Sequence, residues 1–165
     1  MEIPVYEAEE SPCRAYVIQR MTKETRISVD LCLEGGEIRI STGIGFFDHM
    51  LTALAVHSGM DLTIQAKGDL EVDCHHTIED TGIVLGQAIR EAVGDKKGIV
   101  RYGTCILPMD ESLVLCSLDL SGRPYYVSDV EFPTERVGEM DTQMVKEFFY
   151  AVSYSAAMNL HFKML

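Results

Sequence analysis

A cluster of metal-ligating residue types lies near the middle of the chain, where His75, His76 and Glu79 form the pattern His-His-x-x-Glu. If this segment is helical, His75 and Glu79 share one face, and His76 lies about 100° around the helix and pairs with Glu79 at i+3. Two adjacent imidazoles do not easily reach one ion on a regular helix, so the spacing suggests two neighbouring metals. Imidazole and carboxylate donors suit manganese, iron or zinc.

A third ligand is available from His49, which follows Asp48 at a predicted helix start. A lone histidine is more often an ordinary core or surface residue. Two adjacent histidines with a glutamate one turn later, plus a further histidine, favour metal binding over that alternative. Zinc proteases use His-Glu-x-x-His on a helix, and the chain lacks this spacing, so a protease is disfavoured.

The segments that must position these side chains form an internal repeat. Residues 49–64 resemble residues 147–162 at an offset of 98, with Ala53 matching Ala151 and Leu62 matching Leu160. Each copy predicts strand, turn, strand, helix and strand. The alternative is chance similarity between two amphipathic helices. We favour a duplicated α+β unit.

A second helix is expected after the first copy, opened by Asp73 as its N-cap and stopped by Gly94. Further strands are expected over residues 62–66, 104–107 and 113–120. The predicted architecture is an α+β fold of two duplicated halves, with sheets whose helices gather on one face. We divide the chain into an acidic segment (1–12), a first half (13–98) and a second half (99–165), the halves packing as one unit.

Length and charge limit the classes of partner. The 165 residues suit one compact unit, and the formal net charge of −12 disfavours nucleic-acid binding. An anionic ligand would need a few concentrated arginines or lysines. There is no apolar run of about 18 residues for a membrane span, and the acidic N-terminus lacks the features of a signal peptide. Five cysteines without CxxC spacing suggest reduced thiols, and we expect a cytoplasmic protein without a membrane partner.

Four motifs identify a family. Thr-Gly-Ile-Gly-Phe-Phe-Asp-His-Met-Leu at 42–51, the segment 68–82 around the histidine pair, Pro-Met-Asp-Glu-Ser at 108–112 and Leu-Asp-Leu-Ser-Gly-Arg-Pro at 118–124 together resemble the imidazoleglycerol-phosphate dehydratases. The resemblance runs from about Arg20 to Leu165. It implies a duplicated βαβ-type, ribosomal-protein-S5-domain-2-like fold and a 24-subunit shell built from trimers. It also implies two manganese ions per site, with sites between subunits.

The same resemblance implies a reaction of histidine biosynthesis, the conversion of imidazole glycerol phosphate to imidazole acetol phosphate and water. It assigns the metal ligands to His49, His75, His76 and Glu79, with His49 also in contact with substrate, and Glu147 is a further candidate ligand because it stands at the repeat position of His49. Glu24 matches the acid–base glutamate, Arg101 and Arg123 match substrate and phosphate contacts, and His57 lies in a substrate-contacting stretch. Without the resemblance, either arginine could equally form a surface salt bridge.

The proposed chemistry explains these residue types. The substrate loses a proton from a carbon that no carbonyl acidifies, so a metal on the imidazole ring must help the ring lose its own proton near neutrality. Glu24 would then transfer the side-chain proton, and the arginines would hold the phosphate.

Two departures from the family leave alternatives open. Glu147 stands where many members have histidine before Phe-Phe, and a carboxylate can replace imidazole on manganese. The repeat also predicts a second His-His-x-x-Glu, which does not occur before Leu165. Two alternatives follow: the sequence is a truncated form of a longer protein, or the native protein is itself short. In either case we expect the chain to favour a trimer or a similarly small oligomer. The alternative function is a non-catalytic, metal-binding assembly form, and a metallohydrolase ranks last.

Overall fold

The computed structural model of the protein describes residues 14–165. The predicted acidic segment 1–12 therefore lies outside the described residues. The helices are α1 (Gly45–Ser58), α2 (His75–Val93) and α3 (Met144–Ser155). The strands are β1 (Ala15–Met21), β2 (Thr25–Cys32), β3 (Ile38–Ser41), β4 (Asp61–Gly68), β5 (Tyr102–Met109), β6 (Ser112–Asp119), β7 (Tyr125–Ser128), β8 (Arg136–Val137), β9 (Met140–Asp141) and β10 (Asn159–Met164).

Two four-stranded sheets share one topology. Sheet A has the order β1-β2-β4-β3 and sheet B the order β5-β6-β10-β7. In each sheet only the last pair is parallel, β3 with β4 and β7 with β10. Strands β4 and β10 begin at Asp61 and Asn159, which are 98 residues apart. The duplicated α+β fold predicted from the sequence is confirmed.

The helices lie on the inner faces of the sheets and supply most of the core. Strand β2 alternates buried Ile27, Val29 and Leu31 with exposed or half-buried residues, the pattern of a strand with one covered face. Helix α2 packs on β1, β2 and β4 and also contacts α3. The rings of Phe47 on α1 and Phe148 on α3 meet edge to face, with centroids 5.2 Å apart.

Helix α2 ends as predicted but begins slightly later. Gly94 is its C-cap, and its left-handed φ of 50° ends the helix. The first helical residue is His75 and the N-cap is Cys74. Asp73 nevertheless caps from one position earlier, because its Oδ1 accepts a hydrogen bond from the His75 N–H at 2.7 Å.

Other sequence expectations were incomplete. Strand β1 was not predicted, because its edge position on sheet A leaves it without a clear alternating pattern. Cys74, Cys105 and Cys116 carry free thiols, but Cys32 is disulfide-bonded, so the expectation of reduced thiols is wrong there. Within residues 14–165, no helix is both long and apolar enough to cross a membrane.

Two glycines one turn apart allow α2 to approach α3 closely. A Cβ at Gly82 would lie 2.8 Å from the carbonyl oxygen of Phe148. A Cβ at Gly86 would lie 2.6 Å from the carbonyl oxygen of Val152 and 2.7 Å from the Cβ of Ser155. Backbone atoms cannot move aside as a flexible side-chain tip can, so these positions require glycine.

We therefore predict that Gly86→Ala destabilises the fold by about 1–3 kcal/mol, because the added methyl overpacks the contact between α2 and α3. Gly45→Ala is the matched control, since a Cβ there meets nothing within 4 Å. Urea unfolding followed by circular dichroism measures both. Equal stability of the two variants would contradict the close approach.

Candidate metal and substrate site

The first turn of α2 carries the predicted metal-ligating cluster. Nε2 of His75 lies 3.5 Å from a carboxylate oxygen of Glu79, and about 45% of each side chain is exposed. The helical spacing predicted from the sequence is therefore present, and both donor groups face solvent. The carboxylate of Asp73 accepts a hydrogen bond from the His75 N–H and so fixes where this turn begins.

His76 points away from His75 and is oriented by Asp69. The two imidazole centroids are 6.2 Å apart, with their planes at 74°. Nδ1 of His76 lies 3.1 and 3.2 Å from the two carboxylate oxygens of Asp69. This hydrogen bond is the main cause of a raised pKa of His76, and the charges of Asp69, Asp73 and Glu24 add to it while partial burial opposes it. With Nδ1 held in this way, Nε2 is the nitrogen presented to a ligand.

Gly68 lets the end of β4 come close enough to α2 for Asp69 to contact His76. A Cβ at Gly68 would lie only 2.0 Å from Oγ1 of Thr77, so glycine lets the end of β4 lie against the first turn of α2 without displacing the Thr77 side chain. Thr77 is fully buried, and its hydroxyl has no hydrogen-bond partner among the described residues. Because β4 ends so close to α2, the carboxylate of Asp69 lies beside the His76 ring.

Glu24 lies in the turn that joins β1 to β2, beside the same region. The turn is closed by the Thr22 N–H donating to the carbonyl of Thr25 at 2.9 Å and the Glu24 N–H donating to Oγ1 of Thr22 at 3.1 Å. The carboxylate of Glu24 is exposed. Glu24 and Asp69 line one cavity of about 340 Å³, and its lining residues are Thr22, Lys23, Glu24, Thr25, Arg26, Lys67, Gly68, Asp69 and Glu71.

The buried carboxylate of Asp80 attaches this turn to α2. Oδ1 of Asp80 accepts from Nε of Arg20 at 2.8 Å, and Oδ2 accepts from the hydroxyl of Thr25. The hydroxyls of Thr22 and Thr25 are in turn 3.1 Å apart. Since Asp80 follows Glu79 in the chain, one hydrogen-bond network sets the position of Glu24 relative to the predicted metal ligands.

The sequence alone indicates no individual role for Asp69 or Asp80. Both residues lie inside the 68–82 motif on which the family resemblance partly rests. Their place in that motif was the sequence feature that could have indicated a role for them. Their partners, however, are seven residues away for Asp69 and 55 to 60 residues away for Asp80. Local spacing does not predict contacts of that kind.

The remaining predicted ligands lie elsewhere. His49 and His57 are exposed on α1, and Glu147 is exposed in the first turn of α3, the repeat counterpart of α1. Across residues 14–165, no three His, Cys, Asp or Glu side chains converge as a metal site would require. The chain thus brings Glu24, His75, His76 and Glu79 into one region without adding His49 or Glu147.

Arg101 and Arg123 lie together at one end of sheet B. Arg101 makes a bidentate ion pair with Asp119, at 2.6 and 3.0 Å, and its guanidinium lies 4.9 Å from the centroid of the Tyr102 ring. The pairing lowers the pKa of Asp119, and the nearby charge of Arg123 contributes to that shift. The salt-bridge alternative is therefore observed for Arg101. In the part of the chain that is described, the guanidinium of Arg123 makes no ion pair.

Comparisons with known proteins show the family to which the chain is related. A family model described as imidazoleglycerol-phosphate dehydratase matches residues 42–165. A protein of that name from Lachnoclostridium phytofermentans is 60% identical over 153 residues, covering 92% of this chain and 78% of the relative. One from Ruminiclostridium cellulolyticum is 58% identical, covering 92% and 79%.

Solved structures show the same fold. The crystal structure of imidazoleglycerol-phosphate dehydratase from Staphylococcus aureus superposes with a TM-score of 0.83 at 41% identity, covering 92% of this chain and 84% of the other. The corresponding values for IGPD from Pyrococcus furiosus are 0.76 and 38%, covering 90% and 79%. By its motifs, its fold and the identity it shares over most of its length, the chain belongs to the imidazoleglycerol-phosphate dehydratase family, the hydro-lyases of histidine biosynthesis.

Proposed function

We propose that this chain converts imidazole glycerol phosphate to imidazole acetol phosphate with the help of a divalent metal ion, manganese by preference, bound at the first turn of α2. The observation that carries the proposal is the 3.5 Å approach of the His75 imidazole to the Glu79 carboxylate on a solvent-facing surface. Mixed imidazole and carboxylate donors are the set that suits such ions.

The surroundings of the cluster fit a metal centre. Asp69 orients the His76 ring through Nδ1, which is the usual support for a histidine that binds metal through its other nitrogen. His75, His76 and Glu79 would hold the ion from this chain. When bound, the ion would supply Lewis-acid polarisation of the substrate's imidazole ring.

Glu24 is the residue we propose for proton transfer. The hydrogen to be removed sits on a carbon that no carbonyl acidifies, so a base must be held close to it. The carboxylate of Glu24 is exposed to the cavity that Asp69 also lines, and its backbone is held by Thr22 and by the Asp80 network. The turn thereby fixes the carboxylate's position while leaving it accessible to a substrate.

In this proposal, Arg123 and Arg101 bind the phosphate of the substrate. Among the described residues the guanidinium of Arg123 makes no ion pair, whereas Arg101 pairs with Asp119. A phosphate at this end of sheet B would therefore meet Arg123 directly and share Arg101 with Asp119. Guanidinium groups favour this role because they bind phosphate oxygens in a bidentate way.

A complete site needs more than one subunit in this proposal. Metal ligands from one chain do not converge within residues 14–165, and His49, His57 and Glu147 are exposed where a neighbouring copy can use them. We therefore propose a homo-oligomer, trimeric or larger, in which His49 and Glu147 complete metal sites and His57 contacts substrate. The cytoplasmic location stays a prediction.

The first test concerns the base. We expect Glu24→Gln to lower kcat about 10²–10⁴-fold while bound manganese is unchanged, because the amide keeps the size of the side chain but cannot take up a proton. Glu71→Gln is the matched control, since Glu71 lines the same cavity and has no assigned role. Equal losses in the two variants, or none in Glu24→Gln, would remove Glu24 from the mechanism.

The second test concerns the metal. We expect manganese binding to be lost in His75→Ala and to weaken about 10–100-fold in Asp69→Asn, because the latter loses only the support of His76. Glu91→Gln, an exposed site farther along α2, controls for the change of charge. Elemental analysis and metal titration of reconstituted protein measure retention. Wild-type protein that retains no manganese would contradict the metal proposal, and manganese bound without any turnover would favour the non-catalytic assembly form.

The third test concerns assembly. If ligands from neighbouring chains complete the metal sites, removal of metal should shift the population toward smaller species, and manganese should reverse the shift. Multi-angle light scattering with and without chelator measures the mass in solution. A particle whose mass does not respond to chelator would show that packing between subunits, and not shared ligands, holds the oligomer together.

A further inference from the structure

The hairpin formed by β5 and β6 carries two cysteines that no part of the proposed mechanism uses. Cys105 and Cys116 are directly opposite each other in the antiparallel register, and both are free thiols. The side chains of Cys105 and Cys116 are themselves in hydrogen-bonding contact.

The backbone places the two cysteines within reach of a covalent bond. Directly opposite residues of an antiparallel pair have Cα atoms roughly 4.5–5.5 Å apart, which lies within the range of about 4.4–6.8 Å found for disulfides. The Leu120 N–H donates to the carbonyl of Arg101, so Arg101 and Leu120 form a hydrogen-bonded pair. From there along the hairpin, non-hydrogen-bonded and hydrogen-bonded pairs alternate. Cys105 and Cys116 fall on a hydrogen-bonded pair, whose Cβ atoms lie about 5.5 Å apart. This separation is longer than the roughly 3.5–4.5 Å usual between the Cβ atoms of a disulfide, so the two strands must draw together locally for the bond to close.

The two thiols differ in environment. Cys105 is exposed on an edge strand, whereas Cys116 is half-buried and packs against the core. Burial, together with repulsion and hydrogen bonding from Cys105, raises the pKa of Cys116 to about 11. An oxidant from solution therefore meets Cys105 first, and Cys116 is reached through its neighbour.

We propose that Cys105 and Cys116 form an oxidation-sensitive pair that closes to an intramolecular disulfide when a peroxide reacts at Cys105. The Cys105 sulfur attacks hydrogen peroxide, the O–O bond breaks, and a sulfenic acid and one water are formed. The Cys116 sulfur then attacks the sulfenic sulfur, and its proton leaves with the hydroxide as a second water. Each cysteine sulfur loses one electron, and the peroxide gains both.

The disulfide would act on an exposed part of the fold. Strand β5 is one of the two edge strands of sheet B, and most of its side chains are solvent-exposed in the described residues. A bond from Cys105 to Cys116 attaches this edge to the central strand β6. Because the long Cβ separation strains the bond, it should be reduced easily by thiols, which makes the modification reversible.

The test treats the folded chain with hydrogen peroxide and maps its peptides by mass spectrometry. Both cysteines lie between Arg101 and Arg123, so trypsin alone leaves them in one peptide, and the disulfide appears there as the loss of two hydrogens. Cleavage at Asp110 or Glu111 then separates the two halves of the hairpin. Those halves should stay together until dithiothreitol is added.

Matched variants make the outcome decisive. Cys74→Ser should still form the bond, because Cys74 is buried at the start of α2, while Cys105→Ser and Cys116→Ser should not. The second step, in which the Cys116 sulfur attacks the sulfenic sulfur, should speed up as the pH rises toward the pKa of Cys116, because the thiolate is the nucleophile. Oxidation of Cys105 to sulfinic acid with Cys116 left as a thiol, or a Cys105 bond only between separate chains, would overturn the proposal.

Discussion

The close approach of α2 to α3 is the constraint on which the rest of the arrangement depends. Gly82 and Gly86 present backbone instead of side chain to α3, and the carbonyls of Phe148 and Val152 occupy the space that a Cβ would need. Helix α2 is thereby held between sheet A and α3, and eleven of its residues are buried. Its first turn, which carries His75 and His76, emerges from this packed interior at a fixed angle. A packed helix with an exposed first turn is a rigid support for side chains that must hold a geometry.

The Asp80 network extends that rigidity to the opposite side of the cavity. A buried carboxylate is costly to desolvate, and its pairing with Arg20 and Thr25 offsets the cost only when the geometry is good. Such a network does more to fix where its side chains lie than to raise the free energy of unfolding. Its location supports this view, because it joins the residue after Glu79 to the turn that carries Glu24. The separation between the proposed base and the proposed ligands is thus set by hydrogen bonds and not by loop conformation.

The sequence predicted those features that depend on local pattern or on the internal repeat. The repeat predicted that β4 and β10 begin 98 residues apart, and Gly94 marked the end of α2. The spacing of His75 and Glu79 placed both on one helical face. The support by Asp69 was not predicted, because it requires β4 to cross α2 at Gly68, a tertiary contact without a local signature. The same reason applies to the link between Asp80 and Thr25, and to the ion pair that occupies Arg101.

Cations without an ion pair among residues 14–165 bear on how this strongly acidic chain would bind the anionic substrate of the proposed reaction. With a net charge of −12, the protein as a whole repels a phosphate. Arg26 and Lys67 nevertheless stand directly opposite each other on β2 and β4, an arrangement of like charges that disfavours strand pairing, and both line the cavity beside Glu24. A second concentration of positive charge surrounds Arg123, since Lys96 Nζ lies close to Gly122. Positive charge is therefore kept at the two places that the proposed function assigns to substrate. Local attraction of this kind lets a phosphate ester approach a protein whose overall field opposes it.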